Sequence, residues 1–465
     1  MTESSTARQG RAGWLTTLTT VRSRELITIW TVLFLVSGQG FRYLLGLYVY
    51  GLLAALTVAA VAVAFRPTWR TIRPPLLIGS FIALAVASWA WSGARAVTAL
   101  AIVVLLATTF ITFVTVRGHA SWRFMVLLYR GLQASLFLGL AFELAISLFA
   151  RRPVHPLVSD IHKLVESKGK VAEVWWSQNL LFEGGPIQGF VGNRNPFGAI
   201  ALLAGILAFV LLLERRLSRA DAVVTLVAAI AVHLLTRSAT VTVALLYVLV
   251  LTGAAVLIRR ARPRLKRPIS FATLALTAIA GVLTIKLRQE IFDLLDRSPD
   301  ATHRADIWNA VADAAWLRPE GWGYVGYWPV WSEPYSTIVD DAGIIVSHAH
   351  NAYLDAWLQL GLIGMVLFLV IMVLIFGGTW RLVERASRGD SFIPLSWALL
   401  AAAMAIQGLT ESRPLVEGGW YLVVALFCLG PQLFTLTIID EDRVHFGTRE
   451  DEAPPEGQSA QTSQS

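Results

Sequence analysis

Long uninterrupted apolar blocks divide the chain, and they restrict its fold more than any other feature. Each runs for roughly 17–25 residues, enough for a helix to cross the ~30 Å hydrocarbon core of a bilayer. In lipid every backbone N–H and C=O must find a partner within the structure, so only helices and closed barrels span. The blocks are continuous, not alternating, and this selects helices over barrel strands. Charged residues make up 15% of the chain, against roughly 25% in soluble globular proteins. The fold class expected is all-α: a polytopic integral membrane protein of about 12 transmembrane helices with two long extracytoplasmic loops.

The spans read as 26–41, 44–65, 75–92, 96–116, 122–149, 195–213, 220–236, 238–258, 269–286, 352–377, 392–410 and 419–438. Gln39 and Arg42 interrupt the first of them. No cleavable signal peptide is visible ahead of it, and apolar runs follow it directly. The net charge of +8 does not point to nucleic acid, because the basic residues sit in short loops between spans. There they set orientation, with lysine and arginine retained in the cytoplasm. A cytoplasmic N-terminus puts the run Arg259, Arg260, Arg262, Arg264, Lys266 and Arg267 inside. It leaves the short outer turns with one arginine each: Arg42, Arg95, Arg237 and Arg413. Residues 1–25 are then a cytoplasmic segment, 26–440 the membrane domain, and 441–465 a tail too polar to bury a core and expected to be disordered. Both termini face the cytoplasm of a multi-pass cytoplasmic-membrane protein. The single cysteine, Cys428, excludes an intramolecular disulfide.

The two outer loops run over about 151–194 and about 287–350. The second holds Trp308, Trp316, Trp322, Trp328 and Trp331. Tryptophan at this density suits an interfacial belt, and it also suits stacking on sugar rings. Lys163, Lys168 and Lys170 in the first loop are expected to be solvated or lipid-facing, and His233 a satisfied core histidine. Glu143 lies inside a span, where a carboxylate is costly; it is a functional candidate or the holder of a structural partner. Glu411 and Arg413, in the turn after the eleventh span, are expected to pair with each other or line the outer cavity.

The sharpest signal is Ser347-His348-Ala349-His350-Asn351-Ala352-Tyr353, where the second loop enters a span, followed by Gly361 and Gly364. The glycines would let another helix approach closely. Upstream lie His303-Arg304-Ala305-Asp306-Ile307-Trp308 and Arg318-Pro319-Glu320-Gly321-Trp322-Gly323-Tyr324. Earlier still come the turn Leu235-Thr236-Arg237-Ser238-Ala239-Thr240 and the segment Gly192-Asn193-Arg194-Asn195-Pro196-Phe197. In this order, over about residues 190–365, the blocks resemble the O-antigen ligase and O-antigen polymerase superfamily, with His350, Asn351, Gly361 and Gly364 matching its signature.

The resemblance implies a glycosyltransferase that takes a glycan from a polyprenyl-pyrophosphate carrier and passes it to a glycan or lipid acceptor. His350 would be the general base, since imidazole titrates near neutrality. Arg237 and Arg304 would grip the pyrophosphate leaving group, as guanidinium matches phosphate with a planar fork of donors. Asn351, Arg194, Asn195, Tyr324, His348 and Glu411 are the substrate-contacting residues expected. No cofactor and no metal is expected, and the partners are the lipid-linked donor, the acceptor and membrane lipid. A metal held by His348, His350, Asp340 and Asp341 is the competing reading of the histidine pair. Within the family, ligase and polymerase are not separable from these residues. A polysaccharide or lipid transporter is the alternative of another class, though it would place charges nearer the bilayer midplane.

Overall fold

The computed structural model describes residues 20–69, 74–158, 175–286, 300–339 and 346–430. Lys163, Lys168, Lys170, Asp340, Asp341 and the tail 441–465 lie outside the described residues, as do Arg8, Arg11, Arg70, Arg73, Arg443 and Arg449. The described chain is helical: α1 Val21–Val36, α2 Gly38–Ala64, α3 Leu76–Ala87, α4 Arg95–Arg117, α5 Ser121–Ala145, α6 Arg194–Leu213, α7 Arg219–Thr236, α8 Ala239–Arg260, α9 Pro263–Lys286, α10 Asp300–Trp316, α11 Ala352–Arg385, α12 Ile393–Gly408 and α13 Glu417–Leu429. Among the described residues, seven helices are long and apolar enough to cross a membrane: α2, α4, α5, α6, α7, α8 and α11. Against the expected count of about 12, the described residues hold seven helices of spanning length. α3, α12 and α13 are apolar but shorter.

α6 is the most enclosed of the seven, with 72% of its apolar stretch buried. It packs against α5, α7 and α12. α12 lies between α8 and α11 as well, and its buried Ala398, Ala401, Ala402 and Ala403 keep the backbones close. The chain therefore brings the start of α6, the α7–α8 turn, the start of α11 and the end of α12 to the same end of the bundle.

The entry to the bundle differs from expectation. α1 stops at Val36, and Ser37, hydrogen-bonded to Ser135 at 2.6 Å, joins it to α2. Arg42 therefore lies on a helix, not in a turn, and ion-pairs with Glu417. α2 itself breaks at Gly46, where φ is 73°. The carbonyl freed at Tyr43 accepts from the N–H of Val158, 3.1 Å away.

α11 breaks in the same way at Gly361, where φ is 66°. A loop fills the break. The N–H groups of Trp322 and Gly323 donate to the carbonyls of Leu358 and Gln359, each at 2.9 Å. A Cβ on Gly361 would lie 2.0 Å from the Pro319 carbonyl oxygen, and one on Gly321 would lie 2.4 Å from the Gly361 nitrogen. Gly361 thus admits a loop and not the neighbouring helix expected. The block from Arg318 to Gly323 and the signature glycine are two sides of one contact.

The first loop is fastened by Glu143, which is buried. Its carboxylate accepts from the Ser177 hydroxyl at 2.7 Å and from the N–H groups of Gln188 and Gly189 at 2.8 and 2.7 Å. Glu143 is a structural anchor. The expected tryptophan belt is also divided. Trp308, Trp322 and Trp328 donate to Ala349, Ala314 and Asp355 within the second loop and α11, while Trp316 and Trp331 remain exposed.

Candidate active site

The site is assembled from helix ends. Asn351 is the N-cap of α11: its side-chain oxygen accepts from the N–H groups of Tyr353 and Leu354 at 3.0 and 3.1 Å. A cap residue has extended backbone, so the chain must turn sharply just before it. His350 makes that turn in the left-handed region, at φ 50°. Histidine tolerates this region better than most residues, and such conformations gather at functional sites. The result directs the His350 ring back onto His348, with ring centroids 3.9 Å apart.

Glu411, in the segment between α12 and α13, is the hub. Its side chain is 6% exposed. Oε1 accepts from the Asn195 amide at 2.7 Å and lies 3.7 Å from an Arg304 nitrogen. Oε2 lies 3.7 Å from His348 Nε2. Asn195, at the start of α6, is held in turn by Ser238, whose hydroxyl donates to its Oδ1 at 2.8 Å. Ser238 is the N-cap of α8, accepting from Val241. Four helix ends and α10 thus meet around one carboxylate.

Charge follows from this arrangement. Burial pushes the Glu411 carboxyl up, but the neighbouring His348, His350 and Arg304 outweigh it and hold it down at about 2. Burial, with His348 and Arg304 nearby, lowers His350 to about 3 against the upward pull of Glu411. Near pH 7 the site contains an ionised carboxylate, a guanidinium and an uncharged His350. The Nδ1 atom of His350 is buried and has no hydrogen-bond partner among the described residues.

The expected residues separate into two groups. His348, His350, Arg304, Asn195 and Glu411 come together. Arg237 stands one residue from Ser238, in the left-handed conformation at φ 48°, exposed and, among the described residues, without a hydrogen bond or ion pair. Its guanidinium reaches toward Gly184, 3.3 Å from the position of a Cβ there. Arg194 opens α6 and is exposed. Tyr324 is buried against the bundle and donates to the Leu415 carbonyl at 2.9 Å, away from the hub. Of the two expectations for Arg413 and Glu411, pairing does not occur, since Arg413 donates to Gln39, but both line one cleft. His233 also departs from expectation, since its buried Nδ1 has no partner among the described residues. Sequence reasoning missed Ser238 as a site residue. The cap-like serine directly after Arg237 was the available signal.

An open cleft lies beside Glu411 and Asn195. Most of its remaining lining is apolar, including Leu35, Leu132, Leu203 and Leu422, with Arg413 and Glu417 also present. Glu411 and Asn195 thus connect the histidine and arginine cluster to a largely apolar cleft between helices.

No curated protein matches the chain. Residues 222–369 match the family model described as O-Antigen ligase. That stretch carries Arg237, Arg304, His348, His350 and both signature glycines, and the match supports the likeness of this multi-pass membrane protein to the O-antigen ligase and polymerase superfamily.

Proposed function

We propose that the protein transfers a glycan from a polyprenyl-pyrophosphate carrier to a glycan or lipid acceptor at the outer face of the cytoplasmic membrane. The observation that carries this reading is the convergence of His350, Arg304 and Glu411, the last of which also lines a largely apolar cleft. The cleft suits a prenyl chain, and the charged cluster beside it suits a pyrophosphate and a sugar. The acceptor hydroxyl attacks the anomeric carbon as the bond from that carbon to the phosphate oxygen breaks. The bonding pair leaves on the pyrophosphate, and the acceptor's proton passes to the free lone pair of His350. One direct displacement inverts the anomeric centre.

Arg304 and Arg237 receive the charge that develops on the leaving group. Arg237 is exposed and unpaired among the described residues, so its donors can serve this. Glu411 keeps Arg304 near the histidines and balances its charge until the donor arrives. An incoming pyrophosphate raises the basicity of His350 through its negative field, in the direction a base requires. No metal is needed for these steps.

The test is transfer by purified protein given lipid-linked glycan, with products sized. A ladder identifies a polymerase, and one addition to a foreign acceptor identifies a ligase. If no transfer occurs but lipid-linked glycan crosses vesicle membranes, the protein is a transporter and the reading fails.

A further inference from the structure

Glycan transfer does not account for the way the two oxygens of Glu411 are divided. Oε1 is engaged by Asn195 at 2.7 Å and faces Arg304. Oε2 faces His348 Nε2 at 3.7 Å, beyond ordinary hydrogen-bond reach. His350 lies against His348, with its buried Nδ1 unpartnered among the described residues. One ligand-capable atom each from His348, His350 and Glu411 lies within 4.8 Å of the other two. These polar atoms face one another across a gap, with a buried carboxylate at its edge.

Two imidazoles and one carboxylate match the donor set of zinc-class ions, whose bonds to such ligands are ~2.0–2.2 Å long. Magnesium and calcium prefer oxygen alone, so the nitrogen donors select against them. Three protein ligands leave one position open. The far side of the carboxylate is also suitably equipped. Asn195, itself held by Ser238, fixes Oε1, as outer partners orient the first ligands of a metal site. Arg304 is on that same oxygen, 3.7 Å away, and not on the one facing the histidines.

We propose that His348, His350 and Glu411 form a binding site for a zinc-class divalent ion, and that filling it stops glycan transfer. The second half rests on the reading of His350 as the base. A neutral imidazole has one unprotonated ring nitrogen and hence one lone pair for either task. An ion bound there leaves nothing to accept the acceptor's proton. The ion is then a reversible inhibitor and not a cofactor.

The probe is Co²⁺, titrated into purified metal-free protein and followed by its visible d–d absorption. The expected result is one equivalent bound in a four-coordinate spectrum, displaced by Zn²⁺. His348→Ala and Glu411→Gln should abolish it, and Asn195→Ala should weaken affinity by roughly 10–100-fold. No saturable band in folded wild-type protein overturns the site, whatever the variants do. A band that survives both His348→Ala and Glu411→Gln overturns the ligand assignment. In parallel, transfer is assayed with chelator and with saturating Zn²⁺. Full activity in chelator and none in Zn²⁺ supports the inhibitory role. Unchanged transfer with Zn²⁺ bound overturns that role and the reading of His350 as base, while leaving the site. Loss of activity in chelator, restored by metal, overturns both the inhibitor and the metal-free mechanism. Absence of Co²⁺ binding with normal transfer sinks this inference alone.

Discussion

The indole N–H of Trp308 donates to the carbonyl of Ala349 at 3.1 Å, between the two histidines of the site. Arg304 and Trp308 are four residues apart on α10 and so share a face. The hydrogen bond therefore sets the spacing between Arg304 and the histidine pair. Trp308→Phe keeps the ring and removes the donor. A neutral hydrogen bond contributes about 0.5–1.5 kcal/mol, so turnover should fall by roughly 2–10-fold. Donor KM should change little and folding should persist. Unchanged turnover in a rate assay would show that the spacing is set elsewhere.

The two histidines divide the proposed chemistry unequally. His350→Ala should lower transfer by roughly 10²–10⁴-fold, the usual contribution of a general base, with donor binding retained. His348→Ala should be much milder. Arg304→Lys and Arg237→Lys keep the charge but lose the planar fork. Each should cost roughly 10–100-fold in kcat/KM if one charge-assisted hydrogen bond of about 1.5–3 kcal/mol is lost. Rates and donor affinities of the four variants decide this. A dead His348→Ala beside an active His350→Ala would reverse the assignment of the base.

Glu143 serves the fold. Glu143→Ala strands two N–H groups, the part-buried one of Gln188 and the buried one of Gly189. At about 1–3 kcal/mol for each orphaned donor, the cost is about 2–6 kcal/mol. Glu143→Gln keeps an acceptor oxygen and should be far milder. Thermal unfolding in detergent tests this, and equal melting of Ala and Gln variants would refute the anchor.

Orientation is open to labelling. Ser347 and Arg264 are both exposed, at opposite ends of the bundle. In intact cells an impermeant thiol reagent should modify Ser347→Cys and spare Arg264→Cys. The reverse pattern would place the site on the cytoplasmic side and end the proposal of transfer at the outer face.

At the other end of the molecule, stability should depend on pH through His119, in the turn between α4 and α5. Burial lowers its pKa to about 4, reinforced by Arg123 and Arg24 and opposed by Glu25. Its Nε2 is hydrogen-bonded to Thr28 at 3.1 Å, and the Phe65 ring lies against it. The folded state holds this histidine neutral, so the unfolded chain takes up its proton first as pH falls. Stability should decline from about pH 6.5 toward pH 4. Melting temperature measured between pH 7 and 5 should fall less in His119→Asn than in wild type. Identical slopes would dismiss His119 as the source.

The sequence shows what is repetitive or local. Apolar blocks mark most helices because lipid makes the same demand on each. His350-Asn351 is legible because a cap must precede a helix start. Arg304 and Arg237 stand out only through family resemblance. What stayed hidden depends on distant partners. Glu411 is a substrate-contacting candidate from the sequence, but its place as the hub depends on Asn195, Arg304 and His348 arriving from three other segments. Gly361 suggested a helix neighbour, since nothing local says that residues 319–323 fill its break. The start of α2 was misplaced because Gln39 and Arg42 look like a turn, while Glu417, far along the chain, makes Arg42 tolerable on a helix.

The break at Gly361 also fixes how high the site stands. The segment of α11 from Leu362 to Arg385 is ~36 Å long at ~1.5 Å per residue. That alone exceeds a ~30 Å hydrocarbon layer. The turns before Gly361 are then free to rise above the lipid like a post on a footing, carrying His350 at their tip. A water-soluble sugar could approach this post without entering the oil, while a prenyl chain remained in it.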